Sequence, residues 1–483
     1  MRMKTLPFCG VCLFIGVAAA MGPLAPTMVF AQSPADGFAS KRPPIGKRTF
    51  VSAAVEKKII EVKAAMKDPG LAWLFENCYP NTLDTTTDFT LQDGKPDTFI
   101  ITGDIDAMWL RDSTCQVWPY MPLIKEDAKL GLMIQGLIRR QVKCVLLDPY
   151  ANAFYKDGTK VSEWNRDLPK MKPGVHERKW EVDSLCYVVR LSAKYYELTQ
   201  DSSVFDRDWD RAMRLIVATF KTEQRKDGQS PYRFIRTTDR MIDAPVYEGT
   251  GQPIRPVGMI CSMFRPSDDA TILPFLVPSN LFAVHVLRQL SWIYTKAVPE
   301  PTFAKECREL ADEVEAAVMK WGTAEHFDYG RIYAYEADGY GNQLFMDDAN
   351  VPSLMSLCYL GYHLPQDALY QRTRKYLVSG DNPWYVRGRA AEGYGSPHTG
   401  KDSIWPMGII LRALTSDDRD EVRMCLRMLK ATHAGTGFMH ESFNKDNPAE
   451  FSRKWFAWAN TLMGELVLKV YHDHPDLFAE HDL

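Results

Sequence analysis

The 483-residue sequence has no excess of basic residues: 58 Lys and Arg stand against 61 Asp and Glu, a formal net charge of −3 at pH 7. Binding to nucleic acid or to an anionic membrane surface needs a basic stripe, and the sequence contains none. The composition therefore favours a neutral ligand. Aromatic residues make up 12% of the chain, which permits a carbohydrate site because sugars stack their apolar faces on aromatic rings.

The sequence also lacks the motifs of metal-dependent and serine hydrolases. It contains neither His-Glu-x-x-His nor Gly-x-Ser-x-Gly, and its Gly-Tyr-Gly segments lack the strand-then-helix setting of a dinucleotide loop. The histidines in polar segments have no zinc-ligand spacing; they are His176, His398, His433 and His440. We therefore predict no metal and no cofactor. The scattered cysteines do not indicate a disulfide framework, and we assign no bridge.

The first 31 residues have the pattern of an export signal. Two basic residues precede an apolar run over residues 6–20, and small or modest side chains end at Ala31, where a signal peptidase would cut. The apolar run is short for a membrane span, and two prolines stand soon after its end. We predict a periplasmic or secreted protein that begins at Gln32 and has no membrane association after cleavage.

No linker or low-complexity tract divides the remainder, so we predict a single domain over residues 32–483. Apolar residues at three- and four-residue spacing predict twelve helices, over residues 50–66, 109–124, 128–147, 183–199, 206–223, 279–297, 302–321, 351–362, 366–378, 404–415, 418–433 and 455–474. Some helices are apolar on most faces, such as 279–297, whereas others, such as 302–321, carry charge on one side.

This alternation of apolar and amphipathic helices predicts an all-α fold, an (α/α)6 barrel of two concentric helix rings. Residues 331–346 predict a small β-hairpin insertion with a turn at Asp338-Gly339. Acids, Trp, His, Arg, Gly and Pro crowd the segments that precede helices. Since loops entering the inner helices converge at one end of such a barrel, we predict a funnel-shaped site there, lined by residues 103–112, 180–184, 264–280, 346–352, 392–405 and 437–447.

Two of these segments carry candidates for acid–base chemistry. Asp268 and Asp269 follow a proline-constrained turn, and Glu441 lies in a glycine-flanked, aromatic-rich stretch before the last helix. Glycoside hydrolysis needs two carboxyl groups on opposite sides of the scissile bond, one of them with a raised pKa. The alternatives are a helix cap or an ion pair with Arg265 for the first segment, and backbone hydrogen bonds for the second.

Other polar segments contain groups that suit a sugar. Asp104, Asp106 and Arg111 lie close in sequence to Trp109, and carboxylates with a guanidinium can clamp adjacent hydroxyls through paired hydrogen bonds. A buried ion-pair network at a helix entrance is the alternative. An Asp-x-Asp cation site is disfavoured because no further ligand run comes after it. His398 lies in another polar and aromatic loop, where a structural hydrogen bond is the alternative to substrate contact.

Residues 103–113, the turn 264–269 with 278–280, and residues 437–443 together resemble glycoside hydrolase family 125. The resemblance implies an (α/α)6 barrel and a metal-independent, inverting exo-α-1,6-mannosidase acting on an α-mannoside glycan. It implies Asp268 as the general acid and Glu441 as the general base that activates water. It also implies that a further set grips the terminal mannose, namely Asp104, Asp106, Trp109, Arg111, Arg265 and His398.

Two alternatives stay open. One is a different (α/α)6 carbohydrate-active enzyme, such as a glucan-active hydrolase or a sugar epimerase. The other is an exported glycan-binding protein without turnover, although binding alone does not need two acids in separate loops. Inversion predicts that the two carboxyl groups lie roughly 6.5–9.5 Å apart, with room for a water. The sequence does not indicate an oligomeric state.

Overall fold

The computed structural model describes residues 38–228 and 230–483; the predicted export signal lies outside the described residues. Helices dominate this part of the chain. Their bounds are α1 Ala53–Ala65, α2 Pro69–Cys78, α3 Asn81–Thr85, α4 Leu110–Val117, α5 Ala128–Leu147, α6 Val182–Thr199, α7 Arg207–Glu223, α8 Val246–Gly249, α9 Val277–Lys296, α10 Pro301–Trp321, α11 Ala368–Leu377, α12 Pro406–Leu414, α13 Arg419–Ala431 and α14 Ala457–Asp473.

The helix contacts run in a closed cycle. Helix α4 packs against α6, α6 against α9, α12 against α14, and α14 against α4. The short 3₁₀ helix Met355–Leu357 contacts both α9 and α12 and so completes the cycle. A second set covers the outside: α5 packs on α6, α10 on α9, α11 on the 3₁₀ helix, α13 on α12 and α2 on α14. The mostly helical architecture agrees with the all-α prediction.

Burial differs between the two sets as the sequence pattern predicts. In α6 and α9 buried side chains occur on nearly every face, whereas α10 and α13 bury one stripe and leave their charged residues exposed or half-buried. Aromatic contacts join the inner helices: the rings of Tyr187 in α6 and Phe282 in α9 have centroids 4.9 Å apart. Among the described residues, no helix combines the length and apolar character needed to cross a bilayer.

Two predicted helices differ from the observed ones. The predicted helix 109–124 is α4 followed by the 3₁₀ helix Trp118–Leu123, because prolines interrupt its hydrogen bonding. The predicted helix 351–362 is wrong, since only Met355–Leu357 is helical and in 3₁₀ form. There Ser353 and Ser356 exchange side-chain and backbone hydrogen bonds, which compete with an α-helical ladder. The structure also contains α2, which we did not predict although Asp68 caps it and Pro69 begins it.

Short antiparallel strands surround the starts of the inner helices. They are β1 Thr87–Gln92, β2 Lys95–Ile100, β3 Met108–Trp109, β4 Ala153–Phe154, β5 Val175–Glu177, β6 Phe275–Leu276, β7 Thr323–His326, β8 Gly330–Tyr333, β9 Glu336–Ala337, β10 Gln343–Leu344, β11 Tyr385–Arg387, β12 Glu392–Tyr394, β13 Ser403–Ile404, β14 Ser442–Asn444 and β15 Phe451–Ser452. The sheets are β1-β2, β3-β4-β5, β10-β9-β6, β7-β8, β11-β12 and β13-β14-β15.

Three of these strands lead into inner helices: β3 runs into α4, β6 into α9, and β13 ends just before α12. Within residues 331–346, β9 and β10 pair antiparallel, with Glu336 opposite Leu344. An isolated bridge pairs Gly103 with Phe456, so the segments that enter α4 and α14 lie side by side although they are distant in sequence. The strands thereby hold the helix-entry loops together at one end of the helix cycle.

Candidate active site

A pocket of about 360 Å³ lies where the helix-entry loops meet. We call it the reaction pocket; its lining consists of Thr102, Ile105, Trp109, Arg111, Asp112, Ser267, Asp268, Asn350, His398, Trp405, Glu441, Arg453 and Phe456. Five of the six polar segments singled out from the sequence contribute to this lining. The sixth, 180–184, supplies Glu181, which contacts Arg111 from behind.

Asp268 occupies a strained turn that presents its side chain to the pocket. Its φ is +69°, in the left-handed region that non-glycine residues rarely adopt. The turn is closed by two backbone bonds, from the N–H of Asp268 to the carbonyl of Arg265 (2.9 Å) and from the N–H of Arg265 to the carbonyl of Asp269 (2.7 Å). The Asp268 side chain is 29% exposed, so a bound substrate can reach it.

Several buried groups surround the carboxyl of Asp268. Arg111 Nη2 lies 3.9 Å from its Oδ1, and the amide of Asn152 lies 3.4 Å from the same oxygen. Lys179 Nζ donates to the backbone carbonyl of Asp268 at 2.9 Å. Burial raises the pKa of Asp268, but the cations Lys179, Arg111 and His398 outweigh it, together with a hydrogen bond from Glu181, and lower the pKa below its usual value.

Glu181 is a buried carboxyl partner of Asp268. It is fully buried just before α6, where Arg111 Nη1 donates to it at 2.6 Å. Arg111 Nη1 also lies 3.4 Å from Asp183 Oδ2, so one guanidinium contacts more than one buried carboxyl group. Burial raises the pKa of Glu181 well above its usual value despite Arg111, and the nearby Asp268 raises it further. These opposite shifts of the pKa favour protonation of Glu181 over protonation of Asp268.

Glu441 faces the reaction pocket from the segment that enters α14. It is 8% exposed and accepts a hydrogen bond from Ser452 Oγ at 2.9 Å. Arg453 Nη1 lies 3.6 Å from Glu441, and the Nε of the same arginine bonds both carboxylate oxygens of Asp104, at 3.0 and 3.2 Å. The pairing of β14 with β15 sets this arrangement, since Ser442 lies opposite Ser452 in the register.

His398 lines the same pocket as the two predicted acids and is anchored by Asp269. Its Nδ1 is 2.8 Å from Asp269 Oδ1, and Asp269 is only 2% exposed. Burial lowers the pKa of His398, but the hydrogen bond to Asp269 and the carboxylates of Glu441 and Asp268 outweigh it and raise the pKa. The pocket thus holds an imidazole whose pKa is raised by the carboxyl groups near it.

The predicted site residues divide into two groups. The structure brings Asp268, Glu441, Trp109, Arg111 and His398 together in one pocket. The remaining three, Asp104, Asp106 and Arg265, do not belong to the pocket lining.

Each of these three has a partner that accounts for its position. Asp104 binds Arg453, and the largely exposed Asp106 lies 3.6 Å from Lys160. Arg265 is 2% exposed, and its Nε donates to Glu336 Oε1 at 2.6 Å. These contacts place the three residues beside the reaction pocket, and their contact with mannose stays a prediction.

Sequence reasoning missed two residues that shape the site. Arg453 lines the pocket from outside the segments that we selected, because its role depends on a partner, Asp104, 349 positions away. Glu181 belongs to a selected segment, and its position one residue before α6 was the available signal. Neither has a short motif around it.

Comparison with known proteins agrees with the resemblance. Residues 68–468 match the family model of the metal-independent α-mannosidases, glycoside hydrolase family 125. The chain is 40% identical over 459 residues to the meiotically up-regulated gene 157 protein of Schizosaccharomyces pombe, covering 91% of this chain and 90% of the relative.

Solved structures give the same result. A metal-independent α-mannosidase of Streptococcus pneumoniae, in a non-productive complex with α-1,6-mannobiose, superposes with a TM-score of 0.84 at 40% identity, over 87% of this chain and 99% of the other. A bacterial glucoamylase bound to acarbose shares the fold alone, with a TM-score of 0.51 at 14% identity over 88% of this chain and 58% of the other. The chain belongs to glycoside hydrolase family 125, the metal-independent α-mannosidases, and is a glycoside hydrolase.

Proposed function

We propose that this enzyme removes non-reducing terminal α-1,6-linked mannose with inversion of configuration, using Asp268 as general acid and Glu441 as general base. One observation carries the proposal: the carboxyls of both residues face the same small pocket in a chain of this family. The α-1,6 linkage is supported by the mannobiose bound to the Streptococcus pneumoniae relative. Both acids are accessible from the pocket, as catalysis requires.

The acid step begins with a proton that Glu181 holds. A sugar in the reaction pocket displaces water from the exposed part of the Asp268 side chain, and this desolvation disfavours its charged form. The proton then moves from Glu181 to Asp268, which donates it to the glycosidic oxygen as the bond to the anomeric carbon breaks. The negative charge left on Glu181 is stabilised by Arg111 at 2.6 Å.

The base step uses Glu441 on the other side of the anomeric carbon. Its carboxylate accepts a proton from a water, whose oxygen attacks the anomeric carbon opposite the departing oxygen. Ser452 and Arg453 hold the carboxylate in place through the contacts described above. Attack from the opposite face inverts the configuration, so the first product is β-mannose.

The terminal mannose would lie between Trp109, Arg111 and His398, which line the pocket and present donors and an aromatic ring. We further propose that the closed helix cycle is an (α/α)6 barrel, with the 3₁₀ helix Met355–Leu357 in the place of one inner helix.

Residues 1–31 are proposed as a cleaved export signal, which N-terminal sequencing of the exported protein would test. A start other than Gln32 would correct the cleavage site.

The direct test is hydrolysis of α-1,2-, α-1,3- and α-1,6-linked mannobiose by the protein from Gln32 onward, with a chelator present. We expect mannose from the α-1,6 isomer, with the β anomer appearing first in the NMR spectrum. Release from another isomer would overturn the linkage, and the α anomer appearing first would overturn the inverting mechanism. A product other than free mannose would favour a different carbohydrate-active enzyme.

A further inference from the structure

A second and larger cavity opens beside the reaction pocket. It has a volume of about 940 Å³, against about 360 Å³ for the reaction pocket, with open solvent included in both. We call it the outer groove and define it by Trp164, Arg236, Thr237 and Arg240. Four residues line both cavities: Ile105, Trp109, Asp268 and His398. The two cavities are therefore continuous at the predicted acid.

The chemistry of the reaction indicates what enters the outer groove, and this step rests on the function proposed above. A general acid protonates the leaving oxygen, so the leaving part of the substrate lies on the acid's side. Asp268 lines both cavities, whereas Glu441 lines the reaction pocket alone. The mannose to be cleaved thus occupies the reaction pocket, and the leaving portion of the glycan extends into the outer groove.

The outer groove is larger than the reaction pocket. Its volume is more than twice that of the pocket that receives the single terminal mannose. Its lining also includes hydroxyl and guanidinium donors from Thr237, Thr238 and Arg240. Arg240 Nη2 donates to the backbone carbonyl of His398 at 3.1 Å, which ties the groove's rim to the reaction pocket. The groove therefore has both space and polar groups for additional sugars.

Trp164 provides an aromatic surface in the groove. Its residue surface is 39% exposed, whereas the other eleven tryptophans of the chain are buried or half-buried. The guanidinium of Arg236 lies 4.0 Å from the Trp164 ring centroid and covers one face. Arg236 is fixed in turn by Asp167, whose carboxylate it binds through two nitrogens, and by Glu177 at 2.9 Å. One face of the ring is thus covered by a fixed arginine, and the residue keeps exposed surface for a ligand.

The loop that carries Trp164 is also fixed. The N–H of Trp164 donates to Ser162 Oγ at 3.0 Å, and its carbonyl accepts from the N–H of Asp167 at 2.9 Å. An isolated bridge joins Leu168 to Ile235, directly before Arg236. A fixed aromatic ring loses little entropy on binding, so its stacking on a sugar contributes to affinity.

We propose that the outer groove binds sugars of the leaving glycan beyond the first, with Trp164 stacking on one of them. The enzyme then prefers α-mannosides of three or more sugars to disaccharides. The test compares kcat/KM for α-1,6-mannobiose and for a mannotriose with a terminal α-1,6 linkage. We expect the wild type to favour the triose by about five- to tenfold, the range that one aromatic contact supplies.

Three variants locate this preference. Trp164→Ala should lower kcat/KM for the triose to the value for the biose. It should leave kcat/KM for the biose unchanged within about twofold. Trp164→Phe should keep most of the preference, because a ring remains. Phe327→Ala is the matched control, since Phe327 is 98% exposed in the β7–β8 turn, and should change neither value. Circular dichroism checks that each variant is folded.

Different outcomes overturn different proposals. Equal kcat/KM for the two substrates in the wild type, or an equal loss on both in Trp164→Ala, overturns the outer-groove proposal while the mannosidase activity stands. Release of no mannose from either substrate overturns the proposed function. In that case calorimetry with Glu441→Gln tests the outer-groove proposal. Tighter binding of the triose than of the biose, lost when Trp164→Ala is added, supports the proposal. Equal binding of the two sugars overturns it.

Discussion

The imidazole of His398 is bound to Asp269 and not to Asp268: its Nδ1 lies 2.8 Å from Asp269 Oδ1. This contact gives different surroundings to two adjacent aspartates that the sequence alone does not distinguish. Asp269 is buried and engaged by His398, whereas the Asp268 side chain is exposed to the pocket. The geometry favours Asp268 as the proton donor and gives Asp269 the part of orienting His398.

Asp268→Asn should reduce kcat on α-1,6-mannobiose by about 10²- to 10⁴-fold, the usual contribution of general acid catalysis. An aryl α-mannoside with an acidic phenol should restore much of this loss, because such a leaving group departs without protonation. Asp269→Asn is the matched control and should show a smaller loss with no such recovery. If recovery with the aryl substrate occurs for Asp269→Asn alone, the acid is Asp269.

Glu441→Gln should lose about 10²- to 10⁴-fold in kcat on both substrates, because the attacking water needs a base whatever the leaving group is. The fold should be retained, since the glutamine amide can still accept from Ser452 Oγ. The measurement is kcat on mannobiose and on the aryl mannoside, with circular dichroism alongside. Recovery on the aryl substrate would contradict the role of base.

Glu181→Gln tests the source of the acid's proton. The variant keeps the shape of Glu181 but cannot store or return a proton, and the cations around Asp268 then keep that carboxyl ionised. We expect at least a tenfold lower kcat, part of the roughly 10²- to 10⁴-fold effect of acid catalysis. The alkaline limb of the kcat–pH profile should move to lower pH. A profile that keeps its wild-type limbs would exclude the proton transfer from Glu181.

Asp347 should make stability depend on pH. Burial raises its pKa to about 8, although the N–H groups of Leu354 and Met355 donate to its carboxylate. The folded protein therefore keeps a proton that the unfolded chain releases near its ordinary pKa of 3.8. Stability from this group is present at low pH and is lost as the pH rises towards about 8.

Urea unfolding over this pH range measures the effect of Asp347. The free energy of unfolding of Asp347→Asn should fall less with rising pH than that of the wild type, because asparagine stays neutral. Asp420→Asn serves as the control, since the Asp420 side chain is 80% exposed, and should keep the wild-type slope. Equal slopes for wild type and Asp347→Asn would refute the raised pKa.

The ion pair of Arg265 with Glu336 should be important for stability. Both residues are buried, and Glu336 also accepts from the backbone N–H groups of Ile272 and Leu273, which come shortly after the Asp268 turn. Arg265→Met should destabilise the protein by about 3–5 kcal/mol, because it leaves a buried charge without its partner. Adding Glu336→Gln should recover part of this loss in denaturant unfolding.

An exposed ion pair gives the comparison. Arg211 and Asp208 are both more than half exposed, and their contact is 3.0 Å. Arg211→Met should change the free energy of unfolding by no more than about 1 kcal/mol, as is typical of surface pairs. If Arg265→Met and Arg211→Met lower the free energy of unfolding equally, burial does not increase the contribution of the Arg265–Glu336 pair to stability.

Local sequence signals were sufficient for the long helices. The predicted helix 128–147 coincides with α5, because Asp127 caps its first turn and the apolar spacing continues to Leu147. The same signals failed at 351–362. There the apolar pattern resembles a helix, but the hydrogen bonds of Ser353 and Ser356 and the buried Asp347 favour a shorter 3₁₀ turn.

The site was predictable where its residues cluster in the chain. The segments around Asp268 and Glu441 stood out because acids, aromatics and glycines precede apolar helices there. The positions of Arg265 and Arg453 were not predictable, since their partners lie 71 and 349 residues away. Which carboxyl faces a pocket depends on long-range packing, and no local pattern encodes it.

The bridge between Gly103 and Phe456 has a consequence for synthesis of the protein. One wall of the reaction pocket comes from the segment 437–456, close to the end of the chain, and α14 closes the helix cycle against α4. A nascent chain that stops before Gly437 has Asp268 but none of this opposing wall. On the proposed mechanism, termination before this segment therefore yields an inert product instead of a weakened enzyme.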